Sequence, residues 1–138
     1  MSEIGEILEG IYQAKGMLTP QLVVDEAREE THPLHTHFEW DDQIAGEHHR
    51  LSQARQLIRA VRVVEVSGAD GIERIRGFHS VPRPEGRTYV PVAEVKGDPF
   101  TRELVLRQAE REWRQMLRRY RDLEEFMAVV RKDVAVVA

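Results

Sequence analysis

Residues 43–66 read QIAGEHHRLSQARQLIRAVRVVEV, and the apolar period changes within that run. Advancing by about 100° per residue gathers Ile44, Leu51, Ala54, Leu57, Ile58 and Val61 into one arc of about 140°, the width of a core-facing helix stripe. The opposite arc holds His48, His49, Ser52, Gln53, Arg55, Gln56 and Arg59. Glu47 and Arg50 lie three apart beside the apolar arc, a spacing that predicts a pair. Past Val61 the helical spacing gives way to Arg62-Val-Val-Glu-Val66, whose β-branched residues favour a strand. A helix from about Gln43 to Val61 running straight into a strand makes the chain α+β.

Toward the N-terminus, Ile4, Ile7, Leu8 and Ile11 recur at helical steps and Gly16 stops them, which predicts a short first helix from Ile4 through Ala14. Thr19-Pro20 reads as an N-cap followed by Pro at the first helical position, opening a second helix to about Glu30. Thr31 to Asp42 reads as a loop, with Asp41 and Asp42 placed to cap the third helix.

Toward the C-terminus, Arg62–Val66, Ile72–Val81 and Thr88–Val95 read as three antiparallel strands, separated by Ser67-Gly-Ala-Asp-Gly71 and Pro82-Arg-Pro-Glu-Gly86. Asp98-Pro99 repeats the cap-plus-proline signature, and no Gly or Pro interrupts Phe100 to Lys132, so one long final helix is expected. The expected architecture is an N-terminal three-helix unit of helix-turn-helix type, a wing-like three-stranded antiparallel sheet and a long C-terminal helix. Residues 1–97 form the winged-helix-like domain in this reading, and 98–138 pack on it or on a partner.

The chain has 138 residues and a net charge of −4. Its length suits one domain, and 41% apolar residues supply a core. Without cysteine there is no disulfide scaffold, thiolate nucleophile or cysteine-held metal. No apolar run approaches the roughly 18 residues of a membrane span, and the first residues are acidic where a secretory signal is basic, so a cytoplasmic protein is expected. Charge is uneven: residues 1–42 carry two bases and ten acids, whereas residues 43–138 carry 18 bases and 14 acids.

Two short helices, a longer helix with a basic, Gln-rich outer face and a hairpin follow one another in the order of a winged helix-turn-helix module. On that reading the partner is double-stranded DNA. Arg50, Arg55, Arg59 and Arg62 contact phosphates, Gln53 and Gln56 reach base edges, and Arg83 and Arg87 steady the wing. The link of about 12 residues between the second and third helices departs from the three or four of a helix-turn-helix turn. The competing reading of the same arc is the solvated side of an amphipathic helix.

Leu106, Ala109, Trp113, Met116, Tyr120, Leu123, Met127 and Val130 are spaced 3-4-3-4-3-4-3, a heptad seam. Trp113, Met116, Tyr120, Leu123 and Met127 are the candidate homodimer contacts. The seam otherwise covers the domain's own sheet, or serves a virion, scaffold or host-protein partner.

His32, His35, His37, Glu39, Asp41, His48 and His49 crowd together, yet their spacing matches no metal-ligand motif. His48 and His49 point about 100° apart on a helix, while His35 and His37 converge only if extended. Phosphate loop, His-Glu-x-x-His and Gly-x-Ser-x-Gly motifs are absent. No catalytic residue, metal ligand or cofactor is therefore assigned, and the expectation is a non-enzymatic protein.

Leu18-Thr-Pro-Gln-Leu-Val-Val24, His35-Thr-His-Phe-Glu-Trp-Asp-Asp42 and Arg50-Leu-Ser-Gln-Ala-Arg-Gln-Leu-Ile-Arg59 resemble a group of small proteins of tailed phages and prophages with no settled biochemical role. The likeness extends to Arg87-Thr-Tyr89 and Tyr120-Arg-Asp-Leu123. It implies a phage-encoded protein working in a bacterial cytoplasm, and supplies no mechanism.

Overall fold

A computed structural model describes residues 2–67 and 71–137. Six α-helices and four strands follow in the order α1 (Glu3–Lys15), α2 (Pro20–Ala27), α3 (Glu47–Ala60), β1 (Arg62–Ser67), β2 (Gly71–Arg76), β3 (Phe78–Arg83), β4 (Gly86–Pro91), α4 (Val92–Gly97), α5 (Pro99–Tyr120) and α6 (Glu124–Val137). The expected α+β class is observed.

The helix boundaries follow their caps. Ser2 Oγ accepts from Gly5 N at the start of α1, and Gly16, at φ 75°, ends it in the left-handed region that glycine enters without strain. Thr19 and Asp98 accept from Leu22 N and Thr101 N, each followed by the expected proline. Leu8, Leu18, Val23, Val24, Leu34, Ala54 and Ile58 are fully buried where α1, α2, α3 and the loop after α2 meet. β3 and β4 close this core with Phe78, Val81 and Val90.

Helix α3 begins later than its sequence suggests. Asp41 Oδ1 accepts from Gln43 N, and Asp41 O accepts from Ile44 N and Ala45 N, so residues 41–45 turn on themselves. Gly46 then becomes the N-cap and leaves Ile44 73% exposed, outside the helix and the core.

The expected three-stranded sheet is instead two two-stranded antiparallel sheets, β1 with β2 and β3 with β4. The division falls at Gly77, inside the span read as one strand. Gly77 N donates to Val61 O, its carbonyl accepts from Val92 N, and a Cβ there would lie 2.7 Å from Val61 Cγ1. Gly77 faces Val61 in the register of β1 with β2 and Val92 in the register of β3 with β4, so it ends both ladders and is the joint at which the chain passes from one sheet to the other. The turn read over Ser67–Gly71 lies, at residues 68–70, outside the described residues.

Two more segments differ. Val92–Val95, read as the end of a strand, form α4, with Val92 and Val95 buried. Burial and the preceding Pro91 outweigh the strand preference of valine here. The final helix is jointed: α5 ends at Tyr120, Leu123 N donates to Tyr120 O, and α6 starts at Glu124.

No helix of the described residues is long and apolar enough to cross a membrane.

Candidate nucleic-acid interface

The side chains of α3 divide by face as their helical angles predict, with one consequence for the arginines. His48, His49, Ser52, Arg55, Gln56 and Arg59 are exposed, and Ala54 and Ile58 are buried. Gln53, at the edge, is half-buried and accepts from Glu39 N.

Arg50 is not on the open face. It is 5% exposed, donates to the carbonyls of Glu39 and Ala45, and pairs with Asp42 at 2.8 Å and Glu47 at 3.3 Å. Its guanidinium also lies 5.3 Å from the Trp40 ring centre. The pair with Glu47 is the one the spacing predicts. The carbonyls come from the loop that folds over the start of α3, and they remove Arg50 from any set of phosphate contacts. Hydrogen bonds to Asp42, then Glu47, hold its guanidinium firmly protonated. Glu47 also takes Arg28 at 2.5 Å, which holds its carboxyl below the usual range.

The histidine-rich loop is equally committed. His35 stacks on Trp40 at 4.9 Å and contacts Ala27 O through Nδ1 at 2.7 Å. Trp40 Nε1 donates to His35 O, and His32 Nδ1 accepts from Leu34 N. His35–His37 form a 3₁₀ turn, so the extended geometry that would converge His35 and His37 is absent. Among the described residues no group of three or more His, Cys, Asp or Glu side chains converges on a metal-sized space.

At the C-terminal half of α3 the situation reverses. Arg55 and Arg59 line a pocket of about 360 Å³ with Pro20 of α2, Ser80 of β3, and Arg87, Thr88 and Tyr89 of β4. No carboxylate lines it. Among the described residues neither the Arg55 nor the Arg59 guanidinium has an ion pair or side-chain hydrogen bond. Arg87 is oriented by Ser80, donating to its Oγ at 3.0 Å and its carbonyl at 3.3 Å.

The second hairpin is fixed against the helices by backbone. Tyr89 N donates to Leu18 O at 2.7 Å, and Leu18 N donates to the buried Thr88 hydroxyl at 2.7 Å. These two bonds tie β4 to the turn that opens α2, bringing Arg87 onto the wall facing Arg55 and Arg59. Three guanidiniums thus surround one space without a counter-charge, an arrangement that attracts anions and positions phosphate oxygens.

Arg83 and Arg87 do not act together. Pro82 is the partner of Arg87 in the β3–β4 register, so Arg83, one residue on, belongs to the opposite face. Arg83 donates to the buried Thr101 hydroxyl at 3.1 Å and joins β3 to the start of α5. Arg62 turns back to donate to the Arg59 and Val61 carbonyls, capping the end of α3. Ser80 and Tyr89 complete the cleft and were not expected from sequence. Their signal is strand alternation, because Ser80, Tyr89 and Arg87 share one face once the register is known.

A second recess of about 210 Å³ adjoins the first through Ser80 and Arg87, with Arg76, His79, Gln108 and Glu112 among its walls. His79 is half-buried, and burial, then Arg76 and Lys96, push its imidazole below the usual value.

Comparison of the chain with protein-family models, with curated proteins and with solved structures gives no match.

Proposed function

We propose that the protein is a non-enzymatic module for double-stranded DNA, engaging the phosphate backbone through Arg55, Arg59 and Arg87. The observation that carries this reading is the unneutralised three-arginine cleft. What sets these three apart is convergence: they line one pocket drawn from α3 and β4, and no carboxylate of the described residues lines it with them.

In this reading the exposed arc of α3 faces the duplex. Gln56, one helical turn from Ser52 and exposed, is the side chain placed to reach a base edge, while the arginines set register on the backbone. The β3–β4 hairpin takes the place of a wing through Arg87 alone. Arg50, Arg62 and Arg83 serve the fold, and Gln53 serves the loop over α3. The overall negative charge restricts contact to this local surface, so the affinity falls with salt by a slope set by the few phosphates that Arg55, Arg59 and Arg87 neutralise. A module of this kind would act in transcription control or DNA transactions, in the bacterial cytoplasm that a phage or prophage origin implies.

The test is fluorescence anisotropy with a labelled duplex of about 20 base pairs, titrated between about 50 and 200 mM salt. Wild-type protein is expected to bind with a negative slope of log affinity on log salt. Removing Arg55, Arg59 and Arg87 together is expected to weaken binding at least tenfold at low salt, with thermal stability unchanged. Equal binding by wild type and the triple alanine variant overturns the assigned surface.

A further inference from the structure

The C-terminal helices leave their apolar side open. The N-terminal half of α5 joins the body: Thr101 is buried, Leu104 and Val105 pack against the core from a half-buried position, and Gln108, Ala109 and Glu112 wall the recess beside His79 and Ser80 of β3. Farther along, Leu106, Trp113, Met116, Tyr120 and Leu123 are 38–53% exposed, and no described residue of α6 is buried. The expected seam therefore meets the domain's own sheet at its start, around Leu106 and Ala109, and is open from Trp113 to Leu123. Five large side chains about half open add up to roughly 400 Å² of apolar surface, the size of the largest patch on a typical monomer.

We infer that this face docks a second copy of the chain, in parallel, along the α5–α6 seam. Knobs-into-holes packing needs a partner helix with the same 3.5-residue period, and among the described residues no other open helix face has it. Two such stripes supply roughly 800 Å² of apolar surface, and burial of their charged flanks supplies the rest of the about 1,200 Å² at which stable interfaces begin. The 3-4 spacing passes through the joint residues Arg121-Asp122-Leu123 without a skip, and none of them is Gly or Pro. A partner helix can accordingly draw α5 and α6 into one rod with one seam.

The flanks select the parallel alignment. There a residue before one seam position faces the residue five places later on the other chain. Beyond the part of α5 that packs on the body, the facing pairs are Glu112 with Leu117, Arg119 with Glu124, and Phe126 with Arg131. No like charges meet, and Arg119 with Glu124 forms a complementary pair twice by symmetry. Among the described residues Arg119 lies over the Tyr120 ring at 5.9 Å and has no ion pair, and Glu124 is a highly exposed carboxylate held by Arg131.

Sedimentation equilibrium of the full chain without nucleic acid tests this independently of the DNA reading. The wild type is expected at twice its 16.0 kDa mass at tens of micromolar. Met116→Glu with Leu123→Glu, both at exposed positions, is expected to give a monomer with wild-type circular dichroism. Arg119→Glu is expected to raise the dissociation constant about fivefold, and adding Glu124→Arg to restore it. A wild-type monomer up to about 200 µM, or a dimer that survives the double glutamate change, overturns the proposal. Failure of the charge swap to restore the dimer overturns the parallel register.

Discussion

The two ends of α3 carry the same residue type and treat it in opposite ways. At the N-terminal end Arg50 is enclosed by the loop from Glu39 to Glu47, with two carbonyls and two carboxylates on its guanidinium. At the C-terminal end Arg55 and Arg59 face Arg87 across a pocket with no acid in its wall. A buried cation left unpaired is expensive, so the first environment supplies every partner. An exposed cation left unpaired costs little and remains available to a mobile anion. One arginine therefore holds the fold together, and the other two are left without a counter-charge.

This contrast is breakable from either side. The largest effect is expected at Arg50. Arg50→Ala strands the Glu39 and Ala45 carbonyls and removes the support of Trp40, and should cost about 2–4 kcal/mol. Chemical denaturation measures it, and Arg55→Ala serves as the control at less than about 0.5 kcal/mol. A stability loss shared equally by the two variants would erase the distinction between the ends.

Gly77→Ala comes next. The added methyl meets Val61 Cγ1 at 2.7 Å, where the neighbouring Val61 carbonyl is already bonded to the Gly77 amide. Overpacking of this kind costs about 1–3 kcal/mol. Because Gly77 also sets the angle of the hairpin that bears Arg87, DNA affinity should fall with stability, whereas Arg50→Ala at low temperature should leave the cleft intact. Denaturation and anisotropy on the same preparations separate the two.

A smaller effect belongs to His79. Its folded pKa lies below the ordinary histidine value, so the unfolded chain binds the proton more readily. Stability contributed by the neutral imidazole is present above about pH 6.5 and declines as pH falls through that value toward the folded pKa. His79→Gln should flatten the thermal midpoint across that window, with the cleft arginines unaffected. A midpoint profile identical to wild type would mean that His79 is not held neutral by its surroundings.

Local chemistry made much of this legible. The caps at Thr19 and Asp98, the stop at Gly16, the faces of α3 and the Arg50–Glu47 pair all depend on residues within one or two turns of one another. What escaped depends on distant neighbours. Arg50 is buried because the loop from Glu39 to Ala45 returns over it, and Gly77 is the joint between the sheets because its backbone pairs with Val61 on one side and Val92 on the other. Arg83 and Arg87 part because the register of β3 against β4 puts them on opposite faces. The cleft itself needs the Leu18 bonds to Thr88 and Tyr89, which span 70 residues or more. Half of it was visible as the basic side of one helix, and the rest belonged to a strand whose facing direction spacing alone does not reveal.

The most direct measurement is the salt dependence of duplex binding for wild type beside the Arg55→Ala, Arg59→Ala double variant. Each phosphate contact contributes about 0.9 to the slope of log affinity on log salt. Loss of both arginines should reduce the slope by about 1.8 and weaken binding at low salt, with the unfolding midpoint unmoved. An unchanged slope would contradict the claim that this end of α3 is kept free for a polyanion.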